Sequence, residues 1–187
     1  LYAILIVLQV VRALQEANEE DNLVHRDIKP SNVIVTDEGI AKLVDFGIAR
    51  VSEHHVTNLT TDGIILGTPY YLSPEQTTGQ EVTIRSDIYS LGATFYHMIS
   101  GQLPFQGPDV LQMIQQRVNH HPIDPRHHNP AIPEEIAQVV LKMMRIKPEE
   151  RYQTPEDIIF ELERIIQCFE SGFLVSRAGE TARDERS

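Results

Sequence analysis

Two short segments near the start of the chain carry polar side chains whose types could do chemistry together. Residues 25–32 read His-Arg-Asp-Ile-Lys-Pro-Ser-Asn, and residues 45–47 read Asp-Phe-Gly. Asp27, Asn32 and Asp45 offer carboxylate or amide oxygens, which are hard ligands that suit Mg²⁺ better than zinc or copper. If these oxygens meet at one place, the sequence predicts a magnesium site with a carboxylate to spare.

The residues between the two segments predict the element that brings them together. Residues 33–35 and 40–44 are β-prone and flank the turn signal Asp-Glu-Gly, which predicts a small β-hairpin. Asn32 precedes the first strand and Asp45 follows the second, and because a hairpin brings its two ends together, their oxygens can converge on one ion. Lys29 can present a positive charge to the same place. Magnesium, a lysine and a spare carboxylate are the parts needed to hold a nucleotide phosphate and to orient a hydroxyl against it.

Helical patterns occupy most of the remaining sequence. Apolar residues at three- and four-residue spacings predict helices over residues 1–18, 85–100, 134–145 and 155–169. The second of these helices is expected to bury Ile88, Leu91, Phe95 and Met98. Residues 49–68 are polar and lack a period, which predicts a long loop that is functional or disordered. Residues 171–187 are expected to form a disordered tail, because the end of the chain is rich in charge and poor in large apolar residues.

The composition excludes several classes of protein and partner. The chain has 187 residues, of which 41% are hydrophobic and 23% are charged, and this excludes collagen-like, low-complexity and disordered classes. Its net charge of −11 repels nucleic acid and anionic membrane, so neither is an expected partner. The apolar run over residues 1–8 is too short to span a bilayer. A single cysteine, Cys168, permits no intrachain disulfide and fits a reducing compartment.

A third segment, residues 67–75, follows the long loop and reads Gly-Thr-Pro-Tyr-Tyr-Leu-Ser-Pro-Glu. In order and spacing, the three segments resemble the catalytic loop, the magnesium-binding motif and the end of the activation segment of a eukaryotic-type protein kinase. Asp87 and Arg151, each within a further matching stretch, extend the resemblance over residues 1–168. Five ordered motifs are far more specific than a single Asp-Phe-Gly.

The resemblance implies an α+β, mostly helical fold. It would be the large (C-terminal) lobe of a protein kinase over residues 1–170, with a small β-hairpin at the catalytic loop. The catalytic loop would be residues 25–32 and the activation segment residues 45–75. No glycine-rich loop or strand lysine precedes them, so we expect the nucleotide-binding small lobe to be absent from this chain. The chain opens at Leu1 rather than Met, which favours a fragment.

The resemblance also assigns roles to the residues of the chemical site. Asp27 would accept or orient the proton of the acceptor hydroxyl, and Lys29 would stabilise charge on the transferred γ-phosphoryl group of ATP. Asn32 and Asp45 would hold the magnesium ions that bridge the phosphates. Ile34 would form the floor beneath the adenine. Asp27 and Lys29 are therefore the expected catalytic residues. The expected ATP site comprises Lys29, Asn32, Ile34 and Asp45, and the expected metal ligands are Asn32 and Asp45.

Further roles concern the activation segment. Arg26 would pair with a phosphorylated residue on the activation loop through charge-assisted hydrogen bonds. Thr60 and Thr61, near the end of the long loop, are the candidates for that phosphate, and they could equally be ordinary solvated residues. Thr68 would contact the catalytic aspartate and lysine and help to select the acceptor hydroxyl.

Three residues are expected to support the site rather than to touch a substrate. Asp87 would anchor the backbone of the catalytic loop from within a buried helix. Glu75 and Arg151 would form a buried ion pair, and the loss of one partner of such a pair typically costs about 3–5 kcal/mol.

The residues within the motifs indicate a particular group of kinases. Lys-Pro-Ser-Asn at residues 29–32 resembles the serine/threonine-specific group, and several segments resemble bacterial members. The implied activity is ATP- and Mg²⁺-dependent phosphoryl transfer to Ser or Thr hydroxyls of a protein substrate. The implied location is cytoplasmic for this lobe, although bacterial relatives often carry a sensor or a membrane anchor elsewhere. The rival interpretation is a non-catalytic, pseudokinase-like docking module, which the intact site residues disfavour and a natural lack of the small lobe would favour.

Overall fold

Helices form most of the structure, and one two-stranded sheet lies beside the first of them. The computed structural model describes residues 1–46 and 69–184, with side chains as far as residue 171. Its helices are α1 (Tyr2–Asp21), α2 (Pro74–Thr78), α3 (Ile84–Ser100), α4 (Val110–Asn119), α5 (Glu134–Met143) and α6 (Pro155–Asp184). Strands β1 (Val33–Val35) and β2 (Ala41–Leu43) pair antiparallel, with Val33 opposite Leu43. The predicted α+β, mostly helical fold with a small hairpin is confirmed.

Helix α3 lies at the centre of the hydrophobic core. It packs against α1 and α5, while α1 also packs against α6 and β2. Every residue from Ser86 to Tyr96 is buried, as expected for a helix with neighbours on all sides. Three of the four predicted core residues of α3 are buried, namely Ile88, Leu91 and Phe95. The prediction for Met98 is wrong, because α3 leaves the core in its last turn and Met98 is 37% exposed.

Two helices of the structure, α2 and α4, were not predicted from the sequence. Helix α2 is only five residues long, and its start is fixed by a capping box in which Ser73 and Gln76 bond each other's backbone N–H groups. Helix α4 begins at the N-cap Asp109, whose carboxylate accepts the N–H of Gln112 at 2.8 Å. It buries little besides Met113 and Arg117. Apolar residues at positions 110, 111, 113, 114 and 118 follow a helical spacing, so the sequence carried a signal for α4 that was overlooked.

The C-terminal segment differs from the expectation. Helix α6 continues to Asp184, so the backbone of residues 171–184 is helical where a disordered tail was predicted. Five of these fourteen residues are Ala, Glu or Arg, which favour a helix, although two are Gly. Residues 47–68, which include the predicted long loop, lie outside the described residues. None of the described helices combines the length and the apolar character needed to cross a membrane.

Candidate active site

The catalytic-loop residues lie together in one hydrogen-bonded group. Lys29 Nζ lies 2.8 Å from Asp27 Oδ2. Asn32 Nδ2 donates to the Asp27 carbonyl at 2.8 Å and to Oδ2 at 3.3 Å. A single turn of 3₁₀ helix, Pro30–Asn32, turns the chain back so that these three side chains meet. Asn32 is buried, whereas the side chains of Asp27 and Lys29 are 23% and 22% exposed and remain accessible to a substrate.

The hairpin places the residue before Asp45 against the backbone of Asn32. The N–H of Val44 donates to the carbonyl of Asn32 at 2.9 Å. Asp45 is therefore the next residue in the chain after one that is bonded to the metal-ligand candidate Asn32. Asp45 has a φ of 60°, a left-handed conformation that non-glycine residues adopt rarely and that is common at functional sites. The next residue, Phe46, packs against His25, with 4.6 Å between the centroids of the two rings.

The donor set fits a magnesium ion. Asn32 Nδ2 is committed to Asp27, so Oδ1 is the amide atom available as a ligand, beside the exposed carboxylate of Asp45. Magnesium is typically bound through one or two protein oxygens, with water and phosphate oxygens filling its other positions. In residues 1–46 and 69–171, no group of three or more His, Cys, Asp or Glu side chains is placed to hold a metal ion by itself.

Asp87 in α3 fixes the start of the catalytic loop from inside the core. Its carboxylate accepts the N–H of His25 at 2.6 Å and the N–H of Arg26 at 2.8 Å. Arg26 has a φ of 68°, so these bonds hold a strained backbone in place. Burial raises the pKa of Asp87 to about 7, although the two N–H groups and the charge of Arg26 act in the opposite direction.

His25 links the two motifs through both of its ring nitrogens. Nε2 donates to the Val44 carbonyl at 3.1 Å, and Nδ1 accepts the N–H of Asp27 at 3.3 Å. This pattern needs a neutral imidazole, with one nitrogen as donor and the other as acceptor. Burial lowers the pKa of His25 in agreement with that pattern, against the bond to Val44 and the charges of Asp27 and Asp45.

Glu75 and Arg151 form the buried ion pair that the resemblance implied. Arg151 Nη1 and Nη2 contact the two oxygens of Glu75 at 2.6 and 2.8 Å, and both side chains are almost inaccessible. The remaining guanidinium N–H groups donate to three backbone carbonyls, those of Arg85, Arg145 and Ile146. All five donors of Arg151 are therefore used, which is the condition for a buried guanidinium to be tolerated.

The remaining predicted residues fall in two groups. Ile34 lies on β1, two residues after Asn32, and its large apolar side chain is 52% exposed. Arg26 is partly buried. Thr60, Thr61 and Thr68 lie outside the described residues.

Three further contacts, which the sequence analysis missed, hold the segment that follows residue 68. Arg117 is buried and donates to the first two carbonyls of the 3₁₀ turn Pro69–Tyr71 at 2.7 and 2.8 Å. The hydroxyl of Tyr71 is hydrogen-bonded to His97 Nδ1 at 2.8 Å. Gln76 joins the same segment to the catalytic loop. All three contacts are long-range, and only the capping role of Gln76, as the third residue after Ser73, carried a local signal.

Fold and site together define a class of protein. A buried aspartate supports a strained catalytic loop, the Asp27–Lys29–Asn32 group lies beside the Asp45 motif, and a buried ion pair joins α2 to the segment before α6. This is the arrangement of the large lobe of a protein kinase. The chain belongs to the protein kinase domain family, since the model of that family matches residues 2–160.

The relatives belong to the bacterial branch that the motifs resembled. The chain is 37% identical, over 163 residues, to a probable serine/threonine-protein kinase of Clostridium perfringens, covering 87% of this chain and 23% of that protein. It is 35% identical over 163 residues to the serine/threonine-protein kinase PknB of Mycobacterium tuberculosis, covering 87% of this chain and 26% of PknB. The chain thus spans about a quarter of the length of the curated relatives it matches.

A solved structure supports the same fold. The crystal structure of Rad53 1–466 in complex with AMP-PNP matches with a TM-score of 0.67 at 23% sequence identity. The match covers 84% of this chain and 38% of that chain. The resemblance to bacterial serine/threonine kinases is therefore confirmed at the level of family and fold.

Proposed function

We propose that the protein is a serine/threonine protein kinase, which transfers the γ-phosphoryl group of ATP to Ser or Thr hydroxyls of a protein substrate with Mg²⁺ as cofactor. The observation that carries this proposal is the Asp27 carboxylate, held 2.8 Å from Lys29 Nζ and 3.3 Å from Asn32 Nδ2. A degenerate site would not need this carboxylate to be both fixed and accessible. Family membership and the names of the relatives support the same activity.

Asp27 would orient the acceptor hydroxyl and receive its proton. The carboxylate is fixed through its contacts with Lys29 and Asn32 but stays partly exposed, so a hydroxyl can approach it. The Lys29 ammonium group would lie near both the attacking oxygen and the phosphoryl group, where it stabilises negative charge as it develops. In this class of reaction, positioning and electrostatics supply most of the rate enhancement.

Asn32 Oδ1 and the Asp45 carboxylate would hold magnesium. When bound, the ion neutralises phosphate charge and fixes the direction of the γ-phosphoryl group. Asp45 is prepared for this role by the bond between Val44 and Asn32 and by the packing of Phe46 on His25. Ile34, exposed on the neighbouring strand, would support the adenine ring.

The activation segment would supply the control of activity and the choice of acceptor. We infer that a phosphate on Thr60 or Thr61 would dock on Arg26, since a phosphate and a guanidinium form strong charge-assisted hydrogen bonds. Thr68 would contact Asp27 and help to select the hydroxyl.

The expected partner is a protein with a Ser or Thr acceptor rather than nucleic acid. The net charge of −11 opposes association with a polyanion, and the same charge disfavours contact of this lobe with an anionic membrane. A cytoplasmic lobe, where ATP is available, is part of the proposal, and a membrane anchor elsewhere in the full-length protein is compatible with it.

The test is phosphate incorporation measured by intact mass. The full-length gene product is incubated with ATP and Mg²⁺ beside Asp45→Asn and Asp37→Asn, the latter a matched control in the exposed turn of the hairpin. We expect mass gains of one or more phosphates in the parent and in Asp37→Asn, none in Asp45→Asn, and none after chelation of the metal. No gain in the parent, together with no binding of ATP, would overturn the proposal and leave a docking module.

A further inference from the structure

Gln76 carries one amide group that serves two segments of the chain at once. It lies in the first turn of α2 and is buried. Its Oε1 accepts the N–H of Ser73 at 2.9 Å, which completes the capping box of α2. Its Nε2 donates to the Arg26 carbonyl at 2.8 Å, across 50 residues of sequence. The orientation of the amide is unambiguous, because an N–H faces one side of it and a carbonyl faces the other.

The carbonyl that Gln76 binds belongs to the peptide group joining Arg26 to Asp27. A peptide group is planar, so a bond to this carbonyl also fixes the direction of the Asp27 N–H and Cα. The N–H of Arg26 is bound by Asp87 at 2.8 Å. Arg26 has a φ of 68°. Its N–H and its carbonyl are therefore both hydrogen-bonded to side chains, one from α3 and one from α2.

Capping alone does not explain the glutamine. A capping box needs only an acceptor oxygen at this position, and glutamate supplies one as well as glutamine does. A carboxylate would even be favoured beside the positive end of the α2 dipole. The amide nitrogen of Gln76 is what glutamate lacks, and the Arg26 carbonyl is the atom that uses it. A carboxylate here would instead turn an oxygen towards that carbonyl inside the core.

We propose that Gln76 is a positioning residue, which sets the Arg26–Asp27 peptide plane from the end of the activation segment and thereby aims the Asp27 carboxylate. The role rests on the proposed kinase function. The amide of Gln76 joins the start of α2 to the catalytic loop, because its oxygen caps the helix and its nitrogen binds the carbonyl of Arg26.

The decisive variant is Gln76→Glu, which keeps the capping oxygen and removes the donor to Arg26. In the full-length gene product we expect kcat to fall on the order of ten- to a hundredfold, since small misplacements of a reacting group have costs of this size, with the KM for ATP unchanged. Gln76→Met, which introduces no buried charge, should lower kcat similarly. Ser73→Ala removes the capping hydroxyl but leaves the bond to Arg26, so its kcat should stay within about twofold of the parent, below the scale of a lost positioning contact.

A second readout does not depend on activity. Backbone amide exchange in the peptide that contains residues 25–29 should be faster in Gln76→Glu and Gln76→Met than in the parent, and unchanged in Ser73→Ala and in the exposed control Gln138→Glu. If the parent transfers no phosphate, the kinase proposal fails, and the positioning claim is decided by exchange alone. Parental kcat and exchange in both Gln76 variants would overturn the claim, and so would an equal loss in Ser73→Ala.

Discussion

Replacing Arg151 by methionine would leave a carboxylate buried in the core without its partner. In the folded protein, Glu75 accepts two hydrogen bonds from Arg151, at 2.6 and 2.8 Å, and is almost inaccessible to water. Methionine fills much of the same volume but offers no donor. Three backbone carbonyls that Arg151 now serves would lose their bonds as well.

The size of the loss follows from this geometry. Breaking a buried ion pair by removing one partner typically costs about 3–5 kcal/mol. A domain of ordinary stability has a free energy of unfolding of about 5–15 kcal/mol, so Arg151→Met removes a large part of it. Glu75→Gln, which leaves the three carbonyl bonds of Arg151 in place, should cost less. The double variant should cost less than the sum of the two, because the residues interact directly.

The assay is urea unfolding of the parent, the three variants and Arg164→Met. Arg164 pairs with Glu161 at 2.8 Å on the surface, where the two side chains are 50% and 31% exposed, so it offers the same substitution at an exposed pair. Exposed pairs typically contribute about 0.2–1 kcal/mol. Equal losses of stability in Arg151→Met and Arg164→Met would refute the argument from burial.

The pH dependence of the pair has a definite sign. Burial alone raises the pKa of Glu75, but the hydrogen bonds and the charge of Arg151 outweigh it, and the net pKa is lowered. The pair therefore stabilises the folded state above the unfolded pKa of glutamate. This stabilisation is lost as the pH falls through the lower, folded-state pKa.

Two further predictions concern the central helix α3. The pKa of Asp87, about 7 in the folded protein, lies above the unfolded value of about 3.9, so its contribution to stability should fall by roughly 4 kcal/mol as the pH rises from about 4 to about 7. Asp87→Asn should abolish this slope in the urea midpoint, and an unchanged slope would contradict the assignment. At Gly92, an added Cβ would lie 2.8 Å from the Cβ of Met143. Gly92→Ala should therefore destabilise by about 1–3 kcal/mol through overpacking, although alanine favours a helix; a raised melting temperature would refute the close approach.

Local features of the sequence predicted the hairpin next to the catalytic loop. The turn signal between residues 33–35 and 40–44 predicted the hairpin, whose pairing places Val44, the residue before Asp45, against the backbone of Asn32. The group of Asp27, Lys29 and Asn32 forms within one short turn. Such contacts depend on neighbouring residues, so a pattern in the sequence is enough to find them.

Long-range contacts were accessible only through resemblance, or not at all. Asp87 and the Glu75–Arg151 pair were identified because their motifs resembled a known family. Nothing in the sequence indicated that Gln76 reaches Arg26, because this contact depends on how α2 lies against the catalytic loop. The burial of Arg117 was hidden for the same reason.

The most direct test of the central claim is the rate of phosphoryl transfer to a Ser- or Thr-containing peptide under single-turnover conditions. It is measured in the full-length gene product, in Asp27→Asn and in the exposed control Asp37→Asn, with ATP affinity determined in parallel. If Asp27 orients the acceptor hydroxyl and receives its proton, Asp27→Asn should lower the rate by about 10²–10⁴-fold, with ATP affinity within about twofold of the parent, as expected for a group that acts in the transition state. Equal rates in Asp27→Asn and Asp37→Asn would contradict the proposed role of Asp27.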